Sequence, residues 1–331
     1  MQRLAWCVLI LAASGPRRAA AAPTPATVTE FAIPGPRNFP LDITTGPDGN
    51  LWFTLVGALG RITPRGETTT FPIPTLGSQA QGITVGPDGN LWFTEMDNSR
   101  VGRMTVSGTA AEFALPMPNS VPAYIAAGPD GNLWFTEART NQIGRISTNG
   151  TALREFPVPT ALSGVRGITA GPDGNMWFTE PEAQQVGRIT PAGVIAEFPV
   201  SGASPLGITT GPDGNLWFAA YNIVGRISPA GTVTQFPAAA GDTSDLTTGP
   251  DGNLWFSESN GHGIGRITPT GVVTEFLFPG FVGASDAITL GPDGNLWFTE
   301  YLQDRIGRAE FGAALPTDTP TPTATPTLTP T

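Results

Sequence analysis

The 331-residue chain reads as all-β: a seven-bladed β-propeller of four-stranded antiparallel blades, closed by an N-terminal strand. Three observations predict this. The string Gly-Pro-Asp-Gly-Asn-[Leu/Met]-Trp-Phe starts at Gly46, Gly86, Gly128, Gly171, Gly211, Gly249 and Gly291. The starts lie 40, 42, 43, 40, 38 and 42 residues apart, the length of one blade. The seventh repeat breaks off after Ala309-Glu310-Phe311, while an unmatched strand, residues 27–34 (TVTEFAIP), stands ahead of the first. Pairing the two removes an open sheet edge.

The fourth repeat shows how the strands follow from the residues. Ile168-Thr169-Ala170 is a short first strand, and Asp173-Gly174 supplies the positive φ angles of a tight hairpin. Met176-Trp177-Phe178-Thr179 is the second strand, rich in strand formers. Residues 186–190 (VGRIT) and 194–198 (VIAEF) are the third and fourth, joined at Pro191-Ala192-Gly193.

The ends differ from this middle. Residues 1–22 read as a secretory signal: Arg3, a short apolar run at 4–13 (LAWCVLILAA), then small residues at 19–22. Export to the periplasm or the extracellular space is expected. Cys7, the single cysteine, falls inside this segment, so the mature chain has no thiol chemistry. The propeller is assigned to residues 23–312. Residues 313–331 form a Thr/Pro-rich tail with almost nothing to bury, expected to be extended and disordered.

Charge narrows the partners. All 17 basic residues are Arg, and the formal charge is −10. The first 22 residues carry three Arg and no acid, which leaves −13 for the rest. That field repels phosphate backbones and anionic membrane surfaces, so neither nucleic acid nor membrane is an expected partner. A monomer that takes a small molecule or peptide at its channel mouth is expected.

Most repeated residues read as scaffold. One Asp per turn is what the hairpin needs, and the Trp and Phe are core. Glu ends the second strand as Glu95, Glu137, Glu180, Glu258 and Glu300, but the first and fifth repeats have Leu55 and Ala220. The fourth-strand Glu is lost in the same two repeats, as Thr70 and Gln235. This covariation predicts a Glu–Arg–Glu group across three strands, with Arg188 opposite Glu197 and beside Glu180.

Function is sought where the repeats differ, at the connections that lead into each first strand. There the chain places Asp42, Gln81, Tyr124, Arg166, Ser244-Asp245 and Asp286. Asp42, Arg166, Asp245 and Tyr301 are candidate binding residues. His262, the one histidine, lies in a second-to-third-strand loop and is a candidate base. No Ser–His–Asp grouping and no zinc-ligand spacing is visible.

The units "GITxGPDGNLWFTE" and "IGRITPxG…EF" closely resemble the repeats of streptogramin B (virginiamycin B) lyases over nearly all of residues 27–311. The resemblance implies a seven-bladed propeller. It also implies β-elimination at an ester linkage of a cyclic depsipeptide, with Mg²⁺, histidines and glutamates at the channel mouth. The family's histidines precede the first strands of the last two blades, and the matching positions here are Ser244 and Asp286. Glu300 matches the family's acidic strand end, which makes Glu300 and Asp286 the candidate metal ligands and Asp286 a candidate base. An exposed aspartate would titrate near ~3.9, far below a tuned base.

The residues favour a non-catalytic binding or surface protein. The alternatives are a Mg²⁺-dependent C–O lyase that linearises streptogramin B-type depsipeptides, or another metal-dependent, lactone-active propeller enzyme.

Overall fold

The computed structural model describes residues 25–35, 38–259, 263–278 and 285–311. The expected export signal, the Thr/Pro tail and His262 lie outside these residues. The fold is an all-β propeller of antiparallel sheets. In the fourth repeat, strands Ile168–Ala170, Met176–Glu180, Gln185–Ile189 and Ile195–Pro199 pair in chain order, within about a residue of the bounds read from the sequence. Five sheets have four strands, and one has six. The larger one arises because Val233–Thr248 runs unbroken from the fourth strand of the fifth repeat into the first strand of the sixth, and the short second-to-third connection of the fifth repeat likewise leaves Leu216–Ile227 as one strand. Val233–Thr248 then pairs with it at one end and with Leu254–Glu258 at the other.

The N-terminal strand Pro25–Ala32 pairs antiparallel with Arg305–Phe311, with Thr29 opposite Arg308 and Phe31 opposite Ile306. It occupies the fourth-strand place of the seventh repeat, and Phe31 stacks on Trp297 at 5.4 Å.

Packing between sheets follows from the pleat. Trp and Phe are neighbours on each second strand, so they point to opposite faces. Each core therefore joins the Trp of one repeat to the Phe of the next, as Trp52 with Phe93 and Trp177 with Phe218. Trp297 of the last repeat packs with Phe53 of the first. All seven Trp of the repeats are fully buried. Third-strand glycine is required by this arrangement: a Cβ on Gly187 would lie 2.1 Å from the Phe178 ring.

The turn has a different job from the one expected. Gly174 alone takes positive φ (76°), and Asp173 does not. The Asp173 carboxylate instead accepts the Trp177 indole N–H at 3.0 Å and the Asn175 side-chain amide at 2.8 Å. Partial burial opposes its ionisation, but these bonds hold it below the usual carboxylate range. Arg188 lies over both Trp177 and Phe198, each centroid 5.5 Å away. Its Nη1 is 3.7 Å from Asp173 Oδ2 and donates to Pro229 O of the next repeat at 3.0 Å.

The Glu–Arg–Glu group is therefore corrected. Glu197 pairs with Gly187, and Arg188 with Ala196, so the expected register is off by one residue. One residue in a strand is the other face. Arg188 serves the turn and the stacked rings, while Glu197 accepts from Thr160 N and Oγ1 at 2.9 Å each. The Arg that do meet these glutamates sit three residues earlier, at the start of the third strand: Arg100 near Glu112 and Arg305 with Glu30.

Thermal melts of single and double variants test this assignment. Arg188→Ala is expected to cost about 1–2 kcal/mol through lost stacking and packing. Its effect should be non-additive with Asp173→Ala and additive with Glu180→Gln to within about 0.5 kcal/mol. Strong coupling of Arg188 to Glu180 would restore the discarded group.

Candidate functional site

The mouth residues are placed by irregularities in the first strands. Pairing with the second strand breaks and resumes between Ala80 and Ile83, Pro122 and Ile125, Thr243 and Leu246, and Ser285 and Ile288. Gln81, Tyr124, Ser244-Asp245 and Asp286 fall in these breaks, which release their side chains from the regular ladder. With Leu41, Asp42 and Arg166 they converge: Leu41, Asp42, Gln81, Tyr124, Arg166, Ser244 and Asp286 line one cavity of about 60 Å³.

A ring of hydroxyl bonds holds this mouth. The buried second-strand Thr of one repeat donates to the mouth carbonyl of the next: Thr54 to Gln81 O (3.0 Å), Thr136 to Arg166 O (2.7 Å), Thr299 to Leu41 O (3.0 Å). Ser257 does the same to Asp286 O at 3.1 Å. In the fifth repeat the position is Ala219, and Gly207 N–H bonds Ser244 O at 3.0 Å instead. Two of the aspartates also tie repeats together. Asp42 accepts from Ile43 N and from Ile83 N of the next repeat, both at 2.8 Å, and Asp245 accepts from Ile288 N at 3.2 Å.

Among the described residues, the side chains of Arg166, Tyr124 and Asp286 make none of these bonds to backbone. The Arg166 guanidinium lies over the Tyr124 ring at 5.8 Å, with Nη2 3.5 Å from Tyr124 Oη. Among the described residues no carboxylate lies within 4.0 Å of it, although Tyr124, Asp286 and Asp245 together hold it charged against burial. Burial pushes the Tyr124 hydroxyl up, opposed by Arg166. Asp42 is raised to about 7 by burial and by the charge of Asp245, against its two amide bonds. Burial raises Asp245 to about 6, against amide bonds and Arg166. Asp286 is likewise raised to about 6 by burial, against Arg166. The expectation of an exposed aspartate near the ordinary value is thus overturned, because the mouth removes its water.

The other candidates fall elsewhere. Glu300 is buried opposite Ser285 and Arg305, outside the cavity lining, and is raised to about 7 by burial and Glu30 against the pull of Arg305. Tyr301 packs on Phe39 at 5.2 Å, also outside the lining. The pairing of Tyr124 with Arg166 was not legible, since nothing local in either stretch points to the other. Mg²⁺ implied by the resemblance has a poor donor set. Among the described residues no three Asp, Glu, His or Cys gather about one point, and a guanidinium already sits among the mouth carboxyls. A dication that demands six close oxygens does not fit.

Comparison with known proteins agrees with this architecture. The chain matches the virginiamycin B lyase family over residues 18–241 and 200–328. It is 51% identical over 45 residues to a virginiamycin B lyase of Saccharopolyspora erythraea, a stretch that spans 13% of this chain and 15% of that protein. Among solved structures, a streptogramin B lyase superposes with a TM-score of 0.82 at 31% identity, covering 86% of this chain and 98% of the other. A catalytically inactive histidine-to-alanine variant of virginiamycin B lyase from Staphylococcus aureus, with quinupristin, gives 0.81 at 34% identity, covering 85% and 98%.

The raised carboxyls make stability depend on pH. Asp42, Asp245, Asp286 and the strand-end Glu95, Glu137, Glu180, Glu258 and Glu300 all bind protons more tightly folded than unfolded. Their contribution is full below the unfolded value and is lost as pH rises through the folded one. In metal-free buffer the melting temperature should therefore fall between about pH 4.5 and 7. Calorimetry across that window checks it, and a melting temperature that rises with pH would contradict the burial of these groups.

Proposed function

The chain belongs to the virginiamycin B lyase family, and we propose that it is a member that binds its ligand without cleaving it. The observation that carries this reading is the mouth itself. Ser244 and Asp286 stand where the resemblance implies histidines, and the charged centre is Arg166 held by Tyr124. The ligand is a small molecule or peptide end that meets a guanidinium, a phenol and a carboxyl in one shallow cavity.

The reading includes a closed ring of seven blades, with the six-stranded sheet counted as two. Its support is a cycle of contacts among first strands, from Ile43–Thr45 through Ala80–Val85, Pro122–Ala127, Ile168–Ala170, Ile208–Thr210, Val233–Thr248 and Ser285–Leu290 back to the start. Secretion belongs to the same proposal and rests on residues 1–22 alone.

A second reading is favoured by one observation, the rise of Asp286 to about 6. A carboxylate of that basicity can take an α-proton while Arg166 and Tyr124 stabilise the enolate oxygen and the ester C–O bond breaks. This elimination would use the chain's own residues for every proton and charge.

Incubation of a streptogramin B with the chain, with and without Mg²⁺, followed by chromatography and mass spectrometry, separates the readings. The expected result is an intact ring, with calorimetric binding weakened at least about tenfold by Arg166→Ala. Ring opening abolished by Asp286→Asn would establish the lyase instead. Ring closure has its own test: deletion of residues 25–34 should lower the melting temperature sharply and promote association through the exposed edge. An unchanged melting temperature would remove the closing strand from the fold.

A further inference from the structure

The strand-end glutamates form carboxyl pairs with the fourth-strand glutamates, and the repeats neutralise these pairs differently. In the second repeat Arg100 is paired directly opposite Glu95 and lies 3.9 Å from Glu112. In the seventh, Arg305 is opposite Glu300 and bridges Glu30. In the third and fourth repeats the same position holds Gln142 and Gln185, opposite Glu137 and Glu180, so no cation stands at that position there.

The third repeat departs further. In the second and fourth repeats the outer glutamate is satisfied by a threonine: Thr75 N and Oγ1 donate to Glu112, and Thr160 N and Oγ1 to Glu197. In the third repeat the threonine's place is taken by Met117, which offers Glu155 its backbone N–H and no hydroxyl. Six buried side-chain oxygens of this repeat make no hydrogen bond of normal geometry: Ser120 Oγ, both Glu137 Oε, Thr140 Oγ1, Gln142 Oε1 and Glu155 Oε1. The second repeat leaves Ser78 Oγ and both Glu95 Oε in that state and the fourth both Glu180 Oε and Gln185 Oε1, so among the described residues only the third repeat has such oxygens on both glutamates of its pair. Glu137 and Ser120 are each 0% exposed.

Topology brings these groups together. Gln142 is directly across from Glu137, and Glu155 is across from Gly144, two residues along the same strand and so on the same face. Glu137 faces both Ser120 and Glu155. Arg139 N–H bonds Ser120 O at 3.1 Å, which holds the Ser120 connection against the short loop that carries Thr140. Several unsatisfied acceptors in one buried place are costly unless something positive sits among them.

We propose that the third repeat holds one calcium ion between Glu137, Glu155, Gln142, Ser120 and Thr140. Two carboxylates and three neutral oxygens match a hard cation that takes six to eight oxygen ligands in flexible geometry, and they match Mg²⁺ less well, since it demands a near-ideal octahedron. The ion supplies beside Glu155 the positive charge that the Arg100 guanidinium supplies beside Glu112 in the second repeat. This site is separate from the channel mouth and independent of what binds there.

Native mass spectrometry and thermal melts of chelator-treated chain, with CaCl₂ or MgCl₂ added back, test the proposal. One bound calcium and a melting temperature several degrees higher in excess calcium are expected, with a smaller shift for magnesium. Gln142→Arg places a guanidinium where Arg100 stands in the second repeat. It should abolish calcium binding and the shift while melting at or above the calcium-free parent, which separates loss of the site from loss of the fold. Glu137→Gln should also lose the ion. No bound calcium in the parent, a calcium shift that survives Gln142→Arg, or a magnesium shift equal to the calcium shift would each overturn the assignment.

Discussion

The hydrogen bond from each tryptophan indole to the aspartate of its own turn is the interaction on which the rest depends. It recurs at 2.9–3.0 Å in every repeat, from Asp48–Trp52 to Asp293–Trp297. A buried indole N–H needs an acceptor, and the turn carboxylate supplies one while its second oxygen takes Asn and faces Arg. With the indole fixed, the fourth-strand Phe stacks on it and the third-strand Arg covers both rings. The opposite face of the same strand then offers Phe to the preceding sheet, and the sheets pack in series.

That rigidity reaches the mouth through the second strands. Each Thr or Ser hydroxyl that binds the neighbouring mouth carbonyl is two residues beyond a buried Trp, so indole and mouth are set by one short strand. The consequence is electrostatic. Asp42, Asp245 and Asp286 are each buried beside the mouth, where lost hydration raises their proton affinity more than amide bonds lower it at Asp42 and Asp245, or Arg166 at Asp245 and Asp286. An aspartate that would be a weak base on the surface becomes one suited to weakly acid solution.

The carboxyl pairs show how identical repeats diverge without loss of the fold. One position at the start of the third strand changes from Arg100 to Gln142 to Gln185 to Arg305, and each change alters the charge beside a buried glutamate. The backbone register is the same in all four. Substitution at a fixed place in a repeated frame therefore varies local charge while the sheets stay paired.

Much of this was legible in the sequence. Strand order, the partner of the N-terminal strand, the burial of Trp and Phe and the convergence of Asp42, Gln81, Tyr124, Arg166, Ser244 and Asp286 follow from period-two alternation and a repeat of constant length, because both are local and cumulative. Other features needed the tertiary structure. The partner of Arg188 was misjudged because a register counted through turns carries an uncertainty of one residue, and one residue exchanges the faces of a strand. The proton affinity of Asp286 could not be read at all. It depends on how much water the neighbouring repeats exclude, and the residues that exclude it lie as far away as Asp42 and Arg166. The sequence by itself determined which residues stand at the mouth; only the packing of the sheets decided how closely they meet, and that closeness sets their charge.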